Sequence, residues 1–268
     1  MRELKERPKS ANRVLLRERN GGIVTVTLNR PAQFNALSQE LLTELEKALA
    51  EVASDGDARV VVIAGAGKAF CAGHDLKEMR AHTDLEFQRS LFQQCSRMMM
   101  ALTELPQPVI ARVHGIATAA GCQLVAMCDL AVASENARFA VSGINVGLFC
   151  STPSVGLARN IGRKQAMEML LTGDFIDART ALERGLVNRV VPDDQLDAEV
   201  KKLADTILAK SPVAVSSGKR LFYRQLELGL ADAYDLASEV IACDMMTEDA
   251  QEGIEAFIEK RPPEWRGR

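Results

Sequence analysis

A chain of 268 residues, 47% of them apolar, is long enough to bury one sizeable core. Its 33 basic and 36 acidic residues leave a net charge of −3 with the signs interspersed, which gives no electrostatic basis for binding nucleic acid or a membrane surface. The six cysteines sit mostly among apolar neighbours and read as reduced, buried thiols rather than a disulfide framework, and no histidine lies near Cys122 and Cys128 to suggest a metal site.

The N-terminal run Met1 to Pro8 carries charge of both signs and no apolar segment, so residues 1–12 read as a flexible tail rather than an export signal. No apolar run approaches the length needed to span a bilayer. The expectation is a soluble protein of the cytoplasm, or of the mitochondrial matrix if a targeting segment has been removed. Val24, Val26 and Leu28 alternate with Thr25 and Thr27, the pattern of a strand with one buried face, and Asn29-Arg30-Pro31 ends it. With Ser38 as N-cap, Leu41, Leu42, Leu45, Leu49 and Val52 share one helical face. Val60 to Ala64 reads as the next strand. Thr83-Asp84-Leu85-Glu86 reads as a capping box opening a long helix to about Leu105, closed by Pro106 and Pro108. Strand, helix and strand repeat from Val109–Val113 through Asp129–Ala133. Beyond about residue 153 the pattern is helical, with Gly162, Gly173 and Gly185 as stops and a short strand near Val187 to Val191. The organisation is an α/β core over 13–200 followed by a helical C-terminal region over 201–268.

Two of these strands end in small residues and then open a helix. Val60 to Ala64 leads to Cys71-Ala72-Gly73-His74-Asp75-Leu76, and Val109 to Val113 leads to Thr118-Ala119-Ala120-Gly121-Cys122-Gln123. Small residues admit a ligand close to the backbone, and a helix start supplies N–H groups with no internal partner. One such turn is an anion site. Two in one domain would hold a single developing oxyanion between them, as acyl-group chemistry requires.

Several ordered runs carry a resemblance: Leu28-Asn29-Arg30-Pro31 with Asn35-Ala36-Leu37, Lys68 to Met79, Gly115 to Asp129, and the closing Glu252-Gly253-Ile254, Ala256-Phe257, Glu259-Lys260-Arg261 and Trp265. Together they resemble the crotonase superfamily, the enoyl-CoA hydratase/isomerase family, from about residue 13 to the end. Ala117 to Gln123 and Gly147 to Pro153 are most similar to its enoyl-CoA hydratase domain-containing protein 3 branch. The resemblance implies an α/β fold, a crotonase (ClpP-like) spiral of ββα units with a helical C-terminal trimerisation region, assembled as a homotrimer or dimer of trimers. It implies no covalently bound cofactor, with coenzyme A entering as part of an acyl thioester substrate. By carry-over, the backbone N–H groups of His74 and Ala120 form an oxyanion hole. The backbone near Phe34, Ala36, Ala72, Asp75 and Leu76 receives adenine and pantetheine, Lys77 meets a phosphate, and Phe257 and Lys260 reach a coenzyme A held by the neighbouring subunit.

The chain departs from that pattern where hydration chemistry is done. Family hydratases carry one glutamate directly after the Gly-Cys of the second turn and another about twenty residues later; here these positions are Gln123 and Gly143. A general acid or base contributes about 10²–10⁴ in rate, so ordinary hydratase activity is not expected, while an oxyanion hole worth about 10²–10³ per donor remains. Other family members place an aspartate where Cys150 or Ser151 stands here. The Ser142-Gly143 pair resembles dihydroxynaphthoyl-CoA synthases, in which bicarbonate takes the base's place. Cys150 reads either as a buried thiol lining an acyl pocket or as a nucleophile beside His74. His74 reads as a residue kept for its backbone N–H, His114 as a satisfied core histidine, His82 as exposed, and Asp129 as a structural cap. Phe257 reads as core or interface, Trp265 as an anchor for the tail, and Lys77 as a phosphate contact or a solvated side chain. Two function classes follow: an enzyme that stabilises a thioester enolate, and a non-catalytic acyl-CoA-binding or sensing protein. An RNA-binding role does not fit, because the helix from Ser38 to Val52 has one Lys against four Glu.

Overall fold

The computed structural model describes residues 13–268, so the expected tail over 1–12 lies outside the described residues. A hairpin opens the chain, β1 (Leu15–Asn20) antiparallel to β2 (Ile23–Leu28). Then come α1 (Gln39–Ala53), β3 (Val60–Gly65), the short α2 (Leu76–Ala81), α3 (Leu85–Glu104), β4 (Val109–Val113), β5 (Ile116–Thr118) and α4 (Ala120–Met127). The core continues with β6 (Leu130–Ser134), β7 (Arg138–Ala140), α5 (Ser151–Asn160), α6 (Arg163–Thr172), β8 (Ile176–Asp177), α7 (Ala178–Glu183) and β9 (Arg189–Val191). Four helices close it: α8 (Leu196–Leu208), α9 (Pro212–Gln225), α10 (Leu230–Asp244) and α11 (Glu248–Glu259).

The strands form a six-stranded sheet in the order β1-β2-β3-β4-β6-β9, parallel beyond the first pair, and a three-stranded sheet β5-β7-β8. Each turn of the chain lays one strand in the large sheet and a shorter extended segment beside it. These second segments stack in register: Leu37 bridges His74, Cys71 bridges Ala117, and Ala117 pairs with Phe139. The chain is thus a spiral, and the two small-residue turns are adjacent steps of it. Buried Val61, Ile63, Leu41, Leu45, Met98, Leu102 and Phe139 belong to the main core. Val60, Val62, Ile110 and Val132 face the other way, onto Leu196, Val200, Leu203 and Ala204 of α8. A parallel sheet covered on both faces explains why β3 reads as a continuous apolar run rather than an alternation.

Local chemistry accounts for most element ends. Ser38 accepts from the N–H of Leu41 and starts α1. The start of α3 differs from the expected capping box by one residue: Asp84, not Thr83, accepts from the N–H of Phe87, and Glu86 pairs with Arg89 at 2.8 Å. A carboxylate is the stronger acceptor at the positive end of a helix. Gly173 ends α6 and Gly185 follows α7 as expected, whereas Gly162 separates α5 from α6 as the N-cap of the second. Five cysteines are buried; Cys243 on α10 is exposed, against expectation, because α10 packs chiefly on α9 and covers little of the core.

Salt chemistry fastens the C-terminal helices to the spiral. Lys219 on α9 reaches between Leu102 O at 2.8 Å, Gln107 O at 2.9 Å and the carboxylate of Asp129 at 2.6 Å, and Tyr223 donates to the same carboxylate at 2.8 Å. Asp129 also accepts from the N–H of Val109, so it is the structural cap the sequence suggested. The buried carboxylate of Asp249 holds the end of the chain through Ser211 Oγ and the N–H groups of Arg266 and Gly267. The indole of Trp265 donates to Ala209 O at 2.9 Å.

Candidate active site

The two turns are locked together through their backbones. The N–H of Cys71 donates to Ile116 O at 3.1 Å, and the N–H of Thr118 donates back to Cys71 O at 3.0 Å. Only hydrogen fits at two points of this contact. A methyl at Gly121 would lie 2.1 Å from Cys71 O, and one at Gly73 would lie 2.9 Å from Ala119 Cβ and 3.3 Å from Ala120 N. Gly73 also has φ +90°, a conformation that side-chain-bearing residues rarely adopt.

Each turn leaves N–H groups without a backbone acceptor, among them those of His74 and Ala120. Ala120 is the first residue of α4, where no intrahelical acceptor exists. Ala119 before it holds φ 49° and ψ −120°, a strained conformation for a residue with a side chain, fixed by its N–H bond to Ala140 O at 3.0 Å. Around His74 the bridging hydrogen bonds belong to its neighbours, Leu37 N to Gly73 O at 2.7 Å and Asp75 N to Leu37 O at 3.1 Å. The N–H of His74 therefore points away from that strand. Among the described residues, neither N–H has a hydrogen-bond partner.

Both turns open onto a cavity of about 490 Å³. Its wall is Ala72, His74, Leu76 and Met79 from the first turn and α2, Phe92 from α3, Ala119 and Ala120 from the second turn, and residues from Ser142 to Pro153. The lining is largely apolar, with Val146, Leu148 and Phe149 exposed near its mouth. The hydroxyls in the wall are those of Ser142, Ser151 and Thr152, and Ser142 bonds to Thr118 behind it at 2.8 Å. No Asp or Glu stands in the wall. The His74 ring is edge-on to Phe92, with centroids 5.1 Å apart. Burial lowers its pKa to about 4, opposed by the nearby Leu37 carbonyl, which satisfies neither ring nitrogen.

The profile of the family described as enoyl-CoA hydratase/isomerase matches residues 18–268 of this chain. The chain belongs to that family. Enoyl-CoA hydratase domain-containing protein 3, mitochondrial, of Xenopus laevis is 48% identical over 244 residues, covering 91% of this chain and 83% of that protein. The human protein of the same name is 45% identical over 264 residues, covering 98% and 85%. Among solved structures, an enoyl-CoA hydratase of Mycobacterium smegmatis is 58% identical with a TM-score of 0.94, covering 95% of this chain and 99% of the other. Human enoyl Coenzyme A hydratase domain-containing protein 3 superposes with a TM-score of 0.92 at 45% identity, over 94% and 100%. The fold is the crotonase spiral.

The family positions fall as follows. His74, Ala120, Ala72, Leu76, Gly143 and Cys150 line the cavity together. Gln123 does not: it is only 5% exposed, buried in α4, and its Oε1 has no partner. Gly143 has no room for a side chain, since a methyl there would lie 2.7 Å from both Cys150 Sγ and Leu148 O. Cys150 Sγ accepts from the N–H of Gly143 at 3.2 Å, and no hydrogen bond joins it to His74. Burial pushes this thiol up, the condition of an inert lining residue rather than an activated thiolate. Ala72 N donates to Phe34 O at 3.0 Å, which sets the exposed Phe34 ring beside the first turn. Ala36 O accepts from Arg30, and Asp75, 2.9 Å from the same guanidinium, caps α2. Lys77 is exposed in the first turn of α2. Phe257 is 85% exposed and so lies outside the core of this chain, and Lys260 ends α11 in a left-handed conformation. His114 is half-buried and satisfied by Arg112 and Gly67 O, while His82 is exposed and stacks on Phe87. Sequence reasoning missed Met79, Phe92 and Val146 as cavity wall, since they lie on separate segments with no local motif. Among the described residues, no three His, Cys, Asp or Glu side chains are grouped to hold a metal, and no helix is long and apolar enough to cross a membrane.

Proposed function

We propose that this protein binds an acyl-CoA thioester with its carbonyl oxygen between the N–H groups of His74 and Ala120, its acyl chain in the apolar cavity, and any enolate stabilised there. The observation that carries this reading is the pair of unpartnered N–H groups on two interlocked turns opening onto one cavity. Donors fixed in advance need no reorganisation as charge develops on the oxygen. The surface around the exposed Phe34, Leu76 and Lys77, with the backbone at Ala36 and Asp75 beneath it, receives the nucleotide and pantetheine, with Lys77 on a phosphate. Ordinary hydratase chemistry is absent, because Gln123 is an amide outside the cavity wall and Gly143 carries no side chain.

The exposed apolar side chains of the C-terminal region, among them Leu230 and Tyr234 on α10, Met246 in the turn after it, and Phe257 and Ile258 on α11, support a homotrimer or a dimer of trimers in which Phe257 and Lys260 reach a neighbour's ligand. Five buried thiols, and relatives whose names carry the word mitochondrial, support a reducing compartment, cytoplasm or mitochondrial matrix. A second reading, an acyl-CoA-binding or sensing protein without catalysis, is favoured by the absence of any carboxylate from the cavity wall.

Titration with butyryl-CoA and octanoyl-CoA by calorimetry, with crotonyl-CoA hydration followed by absorbance, tests the proposal. Micromolar binding with hydration at background is expected. Binding of neither thioester defeats both readings, and hydration at the rates of an ordinary family hydratase overturns the roles given to Gln123 and Gly143.

A further inference from the structure

Leu91, Cys95, Met98, Met99 and Leu102 form the buried face of α3, and Phe92 stands at its edge, half-buried. Residues three and four apart are neighbours on a helix surface, so Arg89, Ser96 and Met100 make one outward ridge with Phe92. From Arg89 to Met100 the helix rises roughly 16 Å at about 1.5 Å per residue. That ridge, with Arg97 and with Thr152 of α5, lines a groove of about 440 Å³. Phe92 and Thr152 line both this groove and the 490 Å³ cavity of the acyl site, so they stand between the two. On the cavity side the Phe92 ring is set edge-on to the His74 ring, with centroids 5.1 Å apart. The charges of the groove are already matched, Arg89 with Glu86 at 2.8 Å and Arg97 with Glu46 at 3.6 Å, while Met100 beside them is 50% exposed and offers an apolar surface. Such a groove suits the tail of a hydrocarbon chain rather than an anion.

We propose that Phe92 sets the length of acyl chain that this protein accepts, as the partition between the acyl cavity and the groove along α3. This rests on the acyl-CoA reading above and narrows it to uncharged acyl groups that end at the aromatic ring. The cavity wall agrees, since it contains no Asp, Glu, Lys or Arg to receive a charged terminus. Burying one methylene is worth a factor of about four in affinity. A chain that reaches Phe92 has nothing further to bury, and a longer one must push the ring off His74 or bend back to the mouth. Cutting the side chain back joins the cavity to the groove, and the chain then runs on beside Met100.

The test is calorimetric titration with the even-numbered saturated series from butyryl-CoA to palmitoyl-CoA, kept below the concentrations at which these thioesters form micelles. In wild type, Kd falls about fourfold per methylene and then stops falling at one chain length within the series. Phe92→Ala moves that break by at least one step, so the first chain beyond the wild-type break binds roughly 16-fold more tightly, while Kd for butyryl-CoA stays within a few-fold. Phe92→Leu, the milder change should the alanine variant fold poorly, moves the break the same way, and Phe92→Trp moves it to shorter chains. Adding Met100→Asp to Phe92→Ala puts a charge in the groove and cancels the gain. A wild type without a break, or a break at the same carbon in every Phe92 variant, overturns the proposal and leaves acyl-CoA binding intact. A gain in Phe92→Ala that survives Met100→Asp shows that the chain does not enter the groove and also overturns it. A wild type that binds no thioester removes the acyl-CoA reading and this proposal with it.

Discussion

Replacing Gly121 by alanine tests whether the contact between the two turns is what builds the site. The added methyl carbon would sit 2.1 Å from the carbonyl oxygen of Cys71 and 2.7 Å from its carbon. The obstructing atoms are backbone, and the same oxygen accepts the Thr118 N–H at 3.0 Å, so no side-chain rotation relieves the clash. Separation to an ordinary contact requires the turns to part by about 1 Å, roughly twice the 0.5 Å within which a productive constellation must be held. Overpacking of this kind costs about 1–3 kcal/mol. With an unfolding entropy of about 2.1 cal/mol/K per residue over 268 residues, the expected fall in Tm is roughly 2–5 °C. The functional loss is larger, because moving Ala120 N–H off target removes one donor, worth about 10²–10³ in rate. Scanning calorimetry reads the first effect and α-proton exchange on butyryl-CoA the second. A Gly121→Ala protein with wild-type Tm and wild-type exchange would refute the claim that these turns touch and act together.

Lys219→Met strands the Asp129 carboxylate, since the two side chains are only 6% and 14% exposed and the lysine holds three oxygens at once. The expected loss is about 3–5 kcal/mol, a fall in Tm of roughly 5–9 °C, and Lys219→Met with Asp129→Leu recovers part of it; a single variant as stable as wild type would show that the network does not fasten α9 to the core. The third prediction concerns pH. The His74 pKa lies near 4 in the folded protein and near 6.5 unfolded. The unfolded chain therefore binds more protons between these values, and stability falls as pH drops through that window. The slope approaches about 1.4 kcal/mol per pH unit, and the sum is at most about 3 kcal/mol. Denaturant unfolding of wild type and His74→Gln from pH 4 to 7 should show the difference, and parallel curves would exclude a neutral buried ring.

Much of the fold was legible because its signals are local. The alternation in β2, the Ser38 cap, the prolines after α3 and the small residues around Gly73 and Gly121 each act within a few positions of themselves. β1 escaped because Arg17, Glu18 and Arg19 show no alternation, and an edge strand is defined by its pairing with β2 rather than by burial. The ordered runs that resemble the crotonase superfamily carried the spiral fold from sequence alone, and the family match and solved relatives agree with it.

The sequence by itself determined most of the elements, the α/β core with its helical C-terminal region and the two small-residue turns, since these are properties of residue type and spacing, while the resemblance to the crotonase superfamily gave the spiral and marked positions 123 and 143 as lacking glutamate. Only the tertiary structure decided what faces what. It turned Gln123 into the body of α4, closed the space around Gly143, left Cys150 without a histidine partner, and buried both ring nitrogens of His74 without a hydrogen-bond partner. Those outcomes depend on how turns of the spiral separated by dozens of residues stack on one another, and stacking sets the burial and hydrogen bonding of a side chain in ways its sequence neighbours do not encode.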